Sequence, residues 1–361
     1  MKYYSLKNIL KANAKYNIIF GERSNGKTYA VQELGLKRFC ENGEQMAIVR
    51  RWQDDFTGKR GQQMFDGIIS NGLVKKYSKG EYNSIYYHSS RWYLSFINEK
   101  NERERISETP FAFGFAITSQ EHDKSTSYPK IKTILFDEFL TRSGYINDEF
   151  VLFCNVLSTI IRDRNDVQIF MLGNTVNKFC PYFAEMGLTR ISEMKQGEID
   201  LYHYGDSELI VAVEFAAGTE HNGKRGKPSD VYFAFNNPKL KMITSGDWEL
   251  AIYPHCPEKY RPKDIIFTYF IQFDGNLLQC EIVRGETGYF TFIHRKTTPI
   301  KHPETDLIFN PSVNSPRRNV RRYIARPEDR IGEKIYYFFK NHRVFYQSND
   351  IGDLVMNYMN A

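Results

Sequence analysis

The chain has 361 residues, 41% of them hydrophobic and 25% charged. That composition is globular and excludes wholesale disorder, and at roughly 150 residues per domain it suggests about two domains. No apolar run approaches the ~18–20 residues that span a bilayer, and Lys2, Lys7, Lys11 and Lys15 interrupt any signal-peptide core, so a soluble, intracellular protein is expected. The net charge is +6, and the segment from Pro311 to Tyr346, with nine Lys/Arg against three Asp/Glu, accounts for it.

In chain order, Tyr16–Phe20 reads as a short buried strand ending at Gly21. A Gly-rich turn follows, then a helix from Lys27 to about Glu41, stopped by Asn42 and Gly43. Gln45–Val49 is a second apolar strand, ending in Arg50, Arg51 and Trp52. Tyr82–Tyr87 and Trp92–Ile97 pair as a hairpin across a polar turn. Phe113–Ile117 is a further apolar run. Thr133–Phe136 is a short strand running into Asp137 and Glu138, and Glu149–Ile161 has its apolar residues at helix period. Val167–Leu172 is another strand, ending at Gly173 and Asn174. Strands alternating with helices imply an α/β fold with a mainly parallel sheet covered on both faces.

The character changes after about residue 215. Ala216–Asp230 is polar and Gly-rich, and from Ile265 the pattern is an antiparallel meander with turns at Asp274–Asn276 and Gly285–Gly288. The expected organisation is an α/β domain over residues 1–213, a linker region over 214–257 and a smaller α+β domain over 258–361. The five cysteines, Cys40, Cys154, Cys180, Cys256 and Cys280, are odd in number and lie outside metal-ligand spacing, which excludes a zinc ribbon.

The chemistry concentrates at Gly21-Glu22-Arg23-Ser24-Asn25-Gly26-Lys27-Thr28, which matches G-x-x-x-x-G-K-[ST] with a strand before it and a helix after. The glycines let successive backbone N–H groups converge on phosphates, and the helix adds the positive end of its dipole. Lys27 would reach the β- and γ-phosphates of ATP, and the Thr28 hydroxyl would ligate Mg²⁺. About 110 residues on, Asp137 and Glu138 end an apolar strand, where ligands bind in open α/β sheets. Asp137 suits the magnesium role through bound water, and Glu138 suits the general base that deprotonates an attacking water. Asn174 would sense the γ-phosphate or form a turn. Arg162 and Arg164 would be helix-end cations or fingers for a neighbouring subunit. Arg50 and Arg51 would face the phosphate loop or be solvated. Arg317, Arg318, Arg321, Arg322 and Arg326 have i,i+4 spacing; if helical, four of them line one side, either to contact a polyanion (DNA phosphates or a structural RNA) or as a solvated helix face.

These residues resemble the DNA-packaging ATPase (encapsidation protein) of small protein-primed tailed phages, the phi-29-type motor. The resemblance is carried by Ile18–Thr28 (IIFGERSNGKT), Gly43–Trp52 (GEQMAIVRRW), Lys124–Phe139 (KSTSYPKIKTILFDEF), Thr159–Arg164 (TIIRDR) and Leu172–Phe183 (LGNTVNKFCPYF), within roughly the first 185 residues. It implies an ASCE-type ATPase in a homo-oligomeric ring, five subunits expected, that threads double-stranded DNA through the portal into a preformed capsid. The place of action would be the host cytoplasm, transiently at the portal vertex, with a structural RNA as a further partner in some phages. It also implies that Asp137 and Glu138 are the Walker B pair, and that Arg162 and Lys124 act in trans. The C-terminal domain is then expected to be RNase H-like and inactive as a nuclease. The alternative is a large-terminase-like packaging ATPase whose C-terminal nuclease is active.

Overall fold

The computed structural model describes residues 3–122, 126–141, 145–146, 148–175, 180–191, 193–205, 207–217, 220–221, 224–225, 253–286, 288–312 and 317–360. The chain divides into two compact units, one of residues 1–142 and 148–249, the other of residues 143–147 and 250–361.

The first unit is built on ten strands. They are β1 (Tyr16–Gly21), β2 (Gln45–Arg50), β3 (Ser84–His88), β4 (Arg91–Ile97), β5 (Arg103–Ile106), β6 (Ala112–Ala116), β7 (Ile131–Asp137), β8 (Gln168–Asn174), β9 (Ile199–His203) and β10 (Ile210–Phe215). The sheet order is β3-β4-β6-β2-β7-β8-β1-β10-β9, with β5 on β4. The six strands β6, β2, β7, β8, β1 and β10 are mutually parallel, and β4 and β9 join them antiparallel. Helices α1 (Lys27–Asn42), α2 (Gly58–Gln63), α3 (Asp66–Ser70), α4 (Leu73–Tyr77), α5 (Glu149–Ile161) and α6 (Pro181–Glu185) complete the unit, and a two-residue hairpin pairs β11 (Glu220–His221) with β12 (Lys224–Arg225).

The sequence explains this layering. β1, β2 and β7 are near-continuous apolar runs because both their faces are covered, and Ile18, Ile19, Ile48, Val49, Ile134 and Leu135 are fully buried. One side of the core stacks Phe136 on Phe153, with Tyr182 edge-on to both. The other side gathers Phe56, Phe65 and Phe111 around Trp92, whose indole N–H donates to the Gly61 carbonyl at 2.8 Å. At the rim β5 (RERI) is exposed throughout, a charged edge that resists pairing with another chain.

The expected hairpin, the α5 helix and the parallel strands are present. The expected boundary at 213 falls inside β10, whose last two residues, Glu214 and Phe215, pair with β1 and are buried. Most of the expected linker, residues 226–252, lies outside the described residues.

The second unit contains β13 (Ile265–Phe273), β14 (Asn276–Gly285), β15 (Gly288–Arg295), β16 (Ile308–Phe309), β17 (Val320–Arg321), α7 (Arg330–Lys340), β18 (Val344–Tyr346) and α8 (Asn349–Met359). Its sheet order is β17-β16-β13-β14-β15-β18. The first three strands form the antiparallel meander, and β16 and β17 follow parallel to β13. Counting from β13, this is the 3-2-1-4-5 order of an RNase H-like sheet, extended by β18 parallel to β15. The helical reading of the arginine segment does not hold. Arg317–Arg322 instead runs through a turn into β17, because the edge of β16 needs a partner: Ile308 N–H donates to Asn319 O at 2.9 Å and Asn310 N–H to Arg321 O at 2.8 Å. No helix among the described residues is long and apolar enough to cross a membrane.

Candidate nucleotide-hydrolysis site

The C-terminal ends of β1, β7 and β8 meet at a cleft of about 510 Å³ lined by Arg23, Ser24, Asn25, Gly26, Lys27, Thr28, Tyr29, Asp137, Glu138, Leu172, Gly173 and Asn174. All the phosphate-loop positions from Arg23 to Thr28 therefore line it, and Gly21 and the buried Glu22 lead into it. The loop needs backbone conformations that side chains disfavour. Gly26 has φ +93° and caps α1, and Gly21 has φ +152°, with Ala216 so close that a Cβ would sit 3.2 Å from it.

Lys27 is only 5% exposed. Its ammonium donates to Glu22 O at 2.5 Å and to Asn25 Oδ1 at 3.1 Å. Burial lowers its pKa to about 8, against the opposing pull of Asp137 and Glu22. It thus remains a cation at neutral pH, folded back onto oxygen acceptors of its own loop. The Thr28 hydroxyl donates to Asp137, lying 3.2 Å from each carboxylate oxygen. A hydroxyl and a carboxylate at the end of a buried strand are the hard oxygen donors that magnesium prefers, so the residues present fit a Mg²⁺ ion.

Arg50, at the end of β2, bridges the two acidic residues, with Nη2 2.8 Å from Asp137 Oδ2 and Nη1 2.8 Å from Glu138 Oε2. Burial pushes the Asp137 carboxyl up, and the Arg50 guanidinium opposes it. Glu138 is exposed at the side chain but has φ +61°, an unusual backbone for a residue with a Cβ.

Arg51 was open between facing the loop and solvent, and the structure puts it in neither place. It is 8% exposed and makes a bidentate pair with Glu149, at 2.8 and 2.7 Å, which also accepts from the Tyr182 hydroxyl at 2.9 Å. Arg51 lies just past the end of β2, where the chain bends, and its guanidinium turns to Glu149 while that of Arg50 reaches Asp137 and Glu138.

Asn174 ends β8 in register with Gly21 and lines the cleft, half-buried. Arg162 caps the C-terminus of α5, exposed, with one hydrogen bond to Thr126 O at 3.1 Å. Arg164, by contrast, donates to the carbonyls of Tyr128, Pro129, Ile131 and Ile160 and clamps the segment before β7. Lys124 lies outside the described residues. In the second unit Arg317, Arg318 and Arg322 are exposed. Arg321 is paired with Asp329, the N-cap of α7, and Arg322 donates to Pro311 O at 3.1 Å. The four do not form a helical face.

A strand–loop–helix turn facing a second strand that ends at Asp137, with Glu138 just after it, defines a P-loop α/β fold. The sequence profile of the podovirus DNA encapsidation protein (Gp16) family matches residues 1–217, and the chain belongs to that family. It is 28% identical over 175 residues to the DNA packaging protein of Bacillus phage B103, covering 48% of each chain. It is 26% identical over 189 residues to the DNA packaging protein of Bacillus phage phi29, covering 52% of this chain and 50% of that one. The chain thus spans about half the length of the curated relatives it matches. In fold it is similar to the Phi-28 gp11 DNA packaging motor, with TM-score 0.55, 18% identity and coverage of 99% and 97%. It is equally similar to the bacteriophage Phi-29 viral genome packaging motor assembly, with TM-score 0.55, 18% identity and coverage of 99% of both chains.

Proposed function

We propose that this protein is a magnesium-dependent ATPase whose hydrolysis drives double-stranded phage DNA through a portal into a preformed capsid. The observation that carries the reading is the pair Asp137–Glu138 ending β7 across the cleft from Lys27, with the Thr28 hydroxyl 3.2 Å from Asp137. Lys27 neutralises the β- and γ-phosphates. Thr28 and Asp137 would hold Mg²⁺, which would supply positive charge to offset what develops on the phosphate oxygens. Glu138 orients a water against the γ-phosphorus and takes its proton as the bond to the leaving ADP oxygen breaks. Asn174 holds the γ-phosphate side of the cleft. Arg162 and Lys124 act on the nucleotide of an adjacent subunit in a five-membered ring at the portal vertex, and the exposed arginines of the second unit meet DNA or a structural RNA.

The second unit does not cut DNA in this reading. Its buried carboxylate, Glu281, already accepts from Tyr260 at 2.6 Å and Gln279 at 2.6 Å and lies 3.4 Å from His294. Among the described residues no group of three or more His, Cys, Asp or Glu could hold a metal.

ATP binding and hydrolysis, measured with and without double-stranded DNA, test the proposal. Lys27→Ala should remove nucleotide binding. Glu138→Gln should bind ATP normally and turn over on the order of 10²–10⁴-fold more slowly, because an amide cannot take the proton. Normal hydrolysis by Glu138→Gln would remove Glu138 from the catalytic role, and a wild-type protein that hydrolyses no ATP, with or without DNA, would overturn the reading.

A further inference from the structure

Glu138 has a conformation that needs explaining. Its φ of +61° is unfavourable for a residue other than glycine and persists only where the surroundings enforce it. Asp137 Oδ1 accepts from the Glu138 N–H at 3.1 Å, Leu172 O accepts from the Phe139 N–H at 3.1 Å, and Arg51 holds the carbonyl side. The guanidinium donates to Glu138 O at 3.2 Å and to Phe139 O at 3.0 Å, gripping the two carbonyls on either side of the next peptide. The rest of its fork is occupied by Glu149, itself 2% exposed and steadied by the fully buried Tyr182.

We infer that Arg51 is a positioning residue for hydrolysis. It sets the backbone at Glu138, and thereby where the Glu138 carboxylate can reach, without touching nucleotide or water. The inference rests on the ATPase reading above. Three elements converge on the one guanidinium: the end of β2, the turn after β7 and the first residue of α5. The clamp therefore ties the first residue of α5, the helix that ends at Arg162, to the turn after β7. Only a planar fork with five donors serves these acceptors together; a lysine has one nitrogen to offer. An ion pair this deep is weak evidence for stability, since well-packed apolar residues often replace such pairs without loss. Its directed bonds to the Glu138 and Phe139 carbonyls are the part an apolar replacement cannot reproduce.

That distinction makes the test. Arg51→Met alone strands Glu149 and should lower both stability and turnover. The triple variant Arg51→Met, Glu149→Met, Tyr182→Phe removes the ion pair together with the hydroxyl that steadies it. It should recover a wild-type melting temperature and wild-type ATP affinity, yet hydrolyse on the order of 10²-fold more slowly, the size expected for a misplaced catalytic group. Arg51→Lys keeps the charge against Glu149 but not the fork, and should fold, bind ATP and lose kcat without a change in KM. If the triple variant regains turnover along with stability, or if Arg51→Lys hydrolyses at the wild-type rate, Arg51 is a structural ion-pair residue and the inference fails. A wild-type protein that binds ATP without hydrolysing it would refute the enzyme reading, a different result from either of these.

Discussion

The two units each bury a carboxylate near the middle of a sheet, and they satisfy it in opposite ways. Asp137 is 8% exposed and shares its oxygens between Arg50 and the Thr28 hydroxyl, at the mouth of a cleft large enough for a nucleotide. Glu281 is 7% exposed and finds its partners in Tyr260, Gln279 and His294. The first is one of two adjacent carboxylates balanced by a mobile-length arginine side chain that a metal and phosphate can replace. The second is closed by its own neighbours across β14 and β15. Burial alone therefore does not mark a functional carboxylate. The mark is burial beside a cleft, with charge left to be completed from outside.

The sharpest break in that comparison is Arg162. An arginine finger is worth on the order of 10³–10⁵-fold in rate, whereas no arginine of the second unit should affect hydrolysis comparably. Arg162→Ala is expected to bind ATP as a monomer and to lose hydrolysis in the assembled ring. Mixing Arg162→Ala with Glu138→Gln chains should restore part of the activity, at interfaces where an intact Arg162 meets an intact Glu138. Mixed rings that form and stay inactive, together with weakened ATP binding by monomeric Arg162→Ala, would make it a cis residue or a helix-end cation.

A smaller effect separates the arginines of the second unit from one another. Arg317 and Arg318 are exposed, while Arg321 is committed to Asp329. Replacing Arg317 and Arg318 with Ser should reduce the salt dependence of nucleic-acid binding by about one unit of log–log slope per lost phosphate contact. Arg321→Ser should leave that slope unchanged and weaken the start of α7 instead, because Asp329 also caps the helix through Gly332 N–H at 2.8 Å. Equal slopes for all three proteins would make Arg317 and Arg318 a solvated face.

The same contrast shows what could be read beforehand. The phosphate loop, the strand ending at Asp137 and the span of α5 were legible because each is local: glycines at a turn, an apolar run, a 3.6-residue period. The insertion of β10 beside β1 was not, since a parallel pairing carries no trace in the sequence of either strand. Arg51 was missed because its partners, Glu149 and the Glu138 and Phe139 carbonyls, lie about 90 residues on in the chain and leave no local trace beside it. The spacing from Arg317 to Arg326 fits a helix as well as it fits anything, and pairing with β16 overrode it. The helices α7 and α8 were unread, although Asp329 and Ser348 cap them.

The last prediction concerns Glu281 and His294, and its effect is the smallest. The hydrogen bond to Glu281 raises the His294 pKa above its ordinary 6.5, against burial and the nearby Lys296. Burial pushes Glu281 up, but hydrogen bonds from His294, Tyr260 and Gln279 more than offset it and leave it below 4.5. The signs are opposite. The His294 contribution is complete below about pH 6.5 and is lost as pH rises through its raised folded value. The Glu281 contribution is complete above about pH 4.5 and is lost as pH falls through its depressed one. The β14–β15 pairing should therefore be firmest between about pH 4.5 and 6.5. Amide exchange in these strands, corrected for intrinsic rates, should be slowest in that window. His294→Asn should remove the weakening on the alkaline side and leave ATP hydrolysis unchanged. A profile that keeps its alkaline limb in His294→Asn would place the titrating group elsewhere, and a loss of hydrolysis would mean that the closed carboxylate of the second unit is not the passive partner in the comparison.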